Sequence, residues 1–171
     1  MIEMFVAGIA LDVRNGHPIV LLNDESKRRA LPIWIGPAEA RAITHALENH
    51  KPERPMTHDL LLNAITSLGY LVDRIEINEL AANTYFATII LKINDPNKKL
   101  DTTKPIDARP SDAIALALRA KASIFVSAQV VSEGTIAANQ EKDEEEAKEF
   151  KKFIDDLKAS DFKKSKGQAD N

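Results

Sequence analysis

Asp107-Ala108-Arg109-Pro110-Ser111-Asp112 puts two carboxylates and a guanidinium on one short stretch of chain. Two carboxylates can hold a divalent cation, and an arginine can offset charge developing on a phosphate. That is the equipment of metal-assisted phosphodiester cleavage. Pro110 suits the first position of a helix, because its missing N–H would be unpaired there anyway. The cluster should therefore sit at a helix start, whose free N–H groups favour anions. The plain alternative is structural: Asp112 is a first-turn acid on the helix dipole, and Arg109 pairs with it or with Asp107.

Two further groups have chemical potential. His58-Asp59, with Arg54 nearby, offers a general base or a metal ligand. Neighbours on a helix do not face each other, so the two cannot form a simple dyad. The alternative is a capped helix start, with Thr57 as cap and Asp59 on the dipole. Glu39 opens an earlier helix and could complete a metal set with Asp107 and Asp112. It is equally a first-turn glutamate with Arg41 exposed beside it. Lys27-Arg28-Arg29 reads as a solvated turn diluted by Asp24-Glu25. Trp34, Tyr85 and Phe86 read as core or interface rather than as base-stacking platforms. Glycine-rich phosphate loops, His-Glu-x-x-His and Gly-x-Ser-x-Gly are absent from the sequence. His45 and His50 are off the i, i+4 spacing.

The elements that must carry these residues come twice. Pro32 to Ile43 aligns without a gap on Pro105 to Leu116, at an offset of 73. Each copy reads strand end, proline, an acid two residues on, then an alanine-rich apolar helix, which suggests a duplication. Before each copy lie two strands. Met4–Val13 and Pro18–Leu22 flank Asn15-Gly16, and Val72–Leu80 and Tyr85–Ile93 flank Ala82-Asn83. The first helix carries Ala40, Ile43 and Leu47 as its stripe. A second, from Thr57 to a stop at Gly69, carries Leu61, Ile65 and Leu68. The helix over 110–121 is apolar nearly all round and so should be buried. A turn is expected at Asp95-Pro96-Asn97 and a short strand at 123–127. From about Gln140 an acidic run leads into Phe150, Phe153, Ile154 and Leu157 at helical spacing, and the end should be disordered.

Composition narrows the classes. The chain has 171 residues and no cysteine, which removes disulfides, thiolate metal sites and cysteine nucleophiles. Net charge is −3, against a surface built for tight nucleic-acid binding. All eight arginines precede residue 120, so an anion site belongs to the core rather than the lysine-rich tail. No apolar run approaches a membrane span, and the acidic start does not read as a signal peptide. A cytoplasmic protein without membrane association is the expectation.

The strings LPIWIGPAEARAI, RPMTHDLL, ITSLGYLVDRIEI and DARPSDAIALALR occur in that order. Together they resemble the bifunctional nuclease domain family over about residues 1–135. The departures, at Asn49, Asn83-Thr84-Tyr85-Phe86-Ala87 and Ser123-Ile124-Phe125-Val126, fall at turns and strand edges. The resemblance implies an α+β fold with two β-β-β-α repeats in one barrel-like mixed sheet, packed helices and a C-terminal acidic helix. The domain would be residues 1–135, and residues 136–171 a charged amphipathic tail that could bind a protein partner. The resemblance also implies a homo-oligomer and a nuclease acting on DNA and RNA. It assigns no catalytic residue. From the residues themselves, Asp107, Arg109, Asp112, His58 and Asp59 are the catalytic candidates. Asp107, Asp112 and Glu39 are the candidates for a divalent ion such as Mg or Mn. A non-enzymatic oligomeric module that binds a partner or a small anion is the alternative.

Overall fold

The chain begins as an antiparallel meander of β1 (Ile2–Leu11), β2 (Pro18–Asp24) and β3 (Arg29–Trp34). Asn15 and Gly16 make its first turn: Gly16 takes φ +71°, a region glycine enters freely, and the Asn15 side chain accepts from the His17 N–H. Helices α1 (Pro37–Leu47) and α2 (Thr57–Ser67) follow. A second meander, β4 (Tyr70–Ala81), β5 (Thr84–Ile93) and β6 (Thr103–Ala108), leads into α3 (Pro110–Ala120). β7 (Ser123–Val126), α4 (Ala128–Gly134) and β8 (Ile136–Ala137) close the unit. The computed structural model describes residues 1–94 and 103–137, and residues 1–137 form one unit. The Asp95–Asn97 turn and the amphipathic tail lie outside the described residues.

All eight strands join one mixed sheet in the order β6-β5-β4-β7-β1-β2-β3-β8. β7 welds the two meanders, parallel to β4 and antiparallel to β1. The class is α+β, as expected, but the sheet does not close into a barrel. Its edges β6 and β8 pair with different strands, and α4 lies against β3 and β4. A Cβ on Gly134 would stand 2.7 Å from Tyr85 Oη on β5 and 2.9 Å from Leu31 Cδ1 on β3. Besides the β7 ladders, the two meanders therefore also approach each other at Gly134 of α4.

Pro37 and Pro110 each begin a helix after a strand, so the expected order of elements recurs. Order alone does not make the halves a structural repeat, and they are used differently. α1 buries Ala40 and Ile43, whereas α3 buries every residue from Pro110 to Ala117 except Asp112. α3 lies against α1, α2, β4 and β5. It is the centre of a core that includes Met4, Leu22, Leu31, Ile75, Ile77, Ile114 and Leu116.

Several local expectations need correction. Leu47 at the end of α1 is exposed, and of the α2 stripe only Ile65 is buried. The face that α2 presents to the core carries Leu62 and Ile65, which leaves Leu60, Leu61 and Leu68 in solvent. Thr57 is the first helical residue, not the cap. The cap is Met56, whose N–H donates to the Asp59 carboxylate at 3.0 Å. Trp34 is half-exposed, and its indole N–H donates to Asp12 at 3.1 Å. α4 and β8 were not foreseen, although Ser127 is a visible signal. Its hydroxyl caps α4 by accepting from the Val130 N–H at 3.2 Å. Among the described residues no helix is long and apolar enough to cross a membrane.

The orientation of α2 gives a direct test. Ile65→Ala should cost about 2–5 kcal/mol in urea unfolding. Leu68→Ala, one turn on and three-quarters exposed, should stay within about 0.5 kcal/mol.

Candidate functional site

The starts of three helices converge on one cleft. Gly36 hands β3 to α1 and places Glu39 in its first turn. Arg109 hands β6 to α3 and places Asp112 there. Met56 opens α2, with His58 and Asp59 in its first turn. Because α3 lies against both α1 and α2, Glu39, His58, Arg109 and Asp112, but not Asp59, line a common space of about 570 Å³. Arg41, His45 and Arg119 complete its polar wall.

Asp112 is the hub. One of its oxygens accepts from Arg109 Nε at 2.8 Å and the other lies 3.2 Å from His58 Nε2. Arg109 Nη2 reaches on to Glu39 Oε1 at 2.9 Å. Burial would raise the Asp112 carboxyl, but hydrogen bonds from Arg109 and then His58 outweigh it and hold it below its ordinary value. The same bond to Asp112, more than that to Glu39, stabilises the Arg109 guanidinium. The His58 ring is largely buried, with a side-chain exposure of 12%. With Nε2–H donating to the carboxylate, the free lone pair lies on Nδ1.

Asp59 faces a different partner. Its carboxylate accepts from Arg119 Nε at 2.7 Å, and Arg119 Nη1 donates to the carbonyls of Ala42 and Ala115. Burial would raise this carboxyl too, but Arg119 and then the Met56 N–H bring it below its ordinary value. The expected separation of His58 from Asp59 holds, since each bonds a different residue of α3.

Asp107 does not join the cluster. It pairs with Thr88 in the β5–β6 ladder, in register with Glu76 of β4 and out of register with the buried Ile75 and Ile89. The strand pleat therefore turns it toward the sheet face opposite the core. Glu39 and Asp112 do approach, but Arg109 sits between them where a cation would have to lie. Among the described residues no group of three or more His, Asp or Glu side chains is spaced to hold a metal ion. The residues present thus do not assemble the expected Asp107–Asp112–Glu39 set. Arg54 is not part of the cleft wall, and the Lys27–Arg29 turn is folded onto Asp24, which accepts from the Arg28 and Arg29 N–H groups.

Arg119 and Arg41 were missed as site residues. Arg119 had a signal: it follows Asp112 by two helical turns, on the same face of an otherwise apolar helix. His45 and His50 come together after all, with ring centroids 4.8 Å apart. The chain turns at Asn49 (φ +53°), and the His50 N–H returns to the His45 carbonyl. Only His45 reaches the cleft.

An open mixed sheet with one helical layer and a histidine–carboxylate–arginine cluster at the helix starts defines an α+β domain with a polar cleft. The chain belongs to the bifunctional nuclease domain family, whose sequence profile matches residues 20–139. An uncharacterised protein of Mycobacterium tuberculosis is 36% identical over 94% of this chain and 98% of its own length. Bifunctional nuclease 1 of Oryza sativa subsp. japonica is 28% identical over 67% of this chain and 34% of that protein. Bifunctional nuclease 2 of Arabidopsis thaliana is 30% identical over 63% of this chain and 32% of that protein. The chain thus spans about a third of these plant relatives.

Two outcomes test the electrostatics. Arg109 is two-thirds exposed, so its ion pairs should contribute no more than about 1 kcal/mol. Arg109→Ala should therefore barely move the urea midpoint. Arg119→Ala leaves the partly buried Asp59 carboxylate without its ion pair and removes two further bonds to helical carbonyls, and should cost about 1–3 kcal/mol. The second outcome concerns acid. Asp112 titrates below 3.8 when folded, so its stabilisation is complete above that unfolded value and fades as pH falls through the lower folded one. Between pH 5 and about 2, thermal melts of Asp112→Asn should lose less stability than the parent does.

Proposed function

We propose that this protein is a nuclease that hydrolyses phosphodiester bonds of DNA and RNA with little sequence preference. The observation that carries the reading is the convergence of His58, Asp112, Arg109 and Glu39 in one open cleft. Family membership and the plant relatives named as nucleases support the same chemistry. Three arginines line the cleft against two carboxylates, with Asp59 neutralising Arg119 from behind. With three arginines against three carboxylates the cleft carries no net charge, so a phosphate would be held by guanidinium N–H donors at short range, without any reading of base edges.

In this reading a water molecule attacks phosphorus and the P–O ester bond breaks. His58 takes the proton from that water and returns one to the leaving oxygen. Asp112 holds the imidazole tautomer and offsets the imidazolium charge. Arg109 stabilises the negative charge that grows on the phosphate. A guanidinium has five N–H donors, and the bonds from Nε and Nη2 leave others for the substrate. Glu39 steers Arg109. No step is routed through a divalent ion, because among the described residues no donor set for one is assembled.

The alternative is a non-enzymatic oligomeric module. It is favoured by one feature, the exposed apolar row of Leu60, Leu61 and Leu68 on α2, which suits contact with a second copy or a protein partner.

Labelled single- and double-stranded DNA and RNA, incubated with highly purified protein with and without chelator, test the proposal. Cleavage should persist through purification, and His58→Ala and Arg109→Ala should each lower the rate about a hundredfold or more with melting curves like the parent's. Complete loss of cleavage with chelator would put an Mg or Mn ion into the mechanism. Activity that fades as purity improves would leave the oligomeric module standing.

A further inference from the structure

A second cavity, of about 550 Å³, lies behind the first, and Arg109 lines both. Its walls are largely apolar: Ile33 and Ile35 on one side, Pro37 and Pro110 at the two helix starts, Tyr85 from the second meander. One polar side chain in it stands out. Ser111 is more than nine-tenths buried, at 7% exposure, and its hydroxyl has no hydrogen-bond partner among the described residues. Ser111 is one of the residues that line this cavity. The Ser111 N–H belongs to the first turn of α3, where backbone donors lack helical partners. The Ser111 hydroxyl and N–H thus belong to the lining of a cavity that is largely apolar, with His17, Asn83 and Thr84 as its other polar side chains beside Arg109.

Resting on the nuclease reading above, we infer that this cavity receives one unpaired nucleobase, next to the phosphate held at Arg109. Rings of proline, tyrosine and tryptophan contribute to the lining, and such apolar surface suits the face of a planar base. Ser111 suits the polar edge. A phosphate is the poorer occupant, since the only arginine or lysine on the cavity wall is Arg109 at the rim. Stacking is tolerant of base identity, so the slot confers little sequence preference. What it does select is single-stranded chain, because a base inside a duplex cannot enter without leaving its stack.

Trp34 is the only tryptophan of the chain and belongs to the cavity wall, which makes it a built-in reporter. Adenosine 5′-monophosphate and uridine 5′-monophosphate should change Trp34 emission saturably. Ribose 5-phosphate and inorganic phosphate should act only at concentrations at least tenfold higher. Ser111→Ala should weaken nucleotide binding about three- to tenfold, in line with loss of one hydrogen bond, and leave the melting curve in place. Asp112→Asn should keep the saturable response. Equal responses to ribose 5-phosphate and to the nucleotides, or unchanged binding in Ser111→Ala, would overturn the base site. Cleavage of single strands and blunt duplexes at equal rates would overturn it too while leaving the nuclease reading intact. Saturable nucleotide binding without any cleavage would uphold the site and remove the nuclease reading.

Discussion

The Asp112 carboxylate is shared between His58 and Arg109, and through Arg109 it reaches Glu39. That sharing ties the first turns of α1, α2 and α3 to one point. It works only because α3 is fixed from within. A helix that buries Ile114, Leu116 and three alanines against sheet and helices cannot rotate without exposing the core. Its start therefore presents Asp112 to His58 of α2 and Arg109 to Glu39 of α1, with Ser111 in the lining of the second cavity.

The energetics separate scaffold from chemistry. Arg109 is largely in water, where an ion pair contributes at most about 1 kcal/mol, whereas each large apolar side chain of α3 contributes several times that when fully buried. The polar cluster is thus held in place by the core and adds little to it. Arg119 is the exception, because it satisfies two backbone carbonyls as well as Asp59. It braces α2 against α3 and so keeps His58 within reach of Asp112.

Much of this was legible in the sequence, for physical reasons. Pro110 and Asp112 announce a helix start, and the unbroken apolar run behind them announces burial. What failed was any feature that depends on tertiary direction. The pleat of β6 decides that Asp107 looks away from the cleft, and a sequence does not reveal which face a short edge strand offers. The α2 stripe was misassigned because leucines at 60, 61 and 68 outnumber the apolar residues on the side that packs. There the polar pair His58 and Asp59 had its partners on α3. Closure of the sheet was an implication of the family resemblance and not of any residue pattern, and the sheet is instead open, with β6 and β8 at its edges.

The central claim is that His58 and Asp112 act as one unit on a phosphodiester. A double-mutant cycle on single-turnover cleavage, with His58→Ala, Asp112→Asn and the pair, measures this directly. The account predicts that the double variant is hardly slower than the His58 variant alone, because the carboxylate works through the ring. Rate losses that multiply would show two independent residues and contradict it.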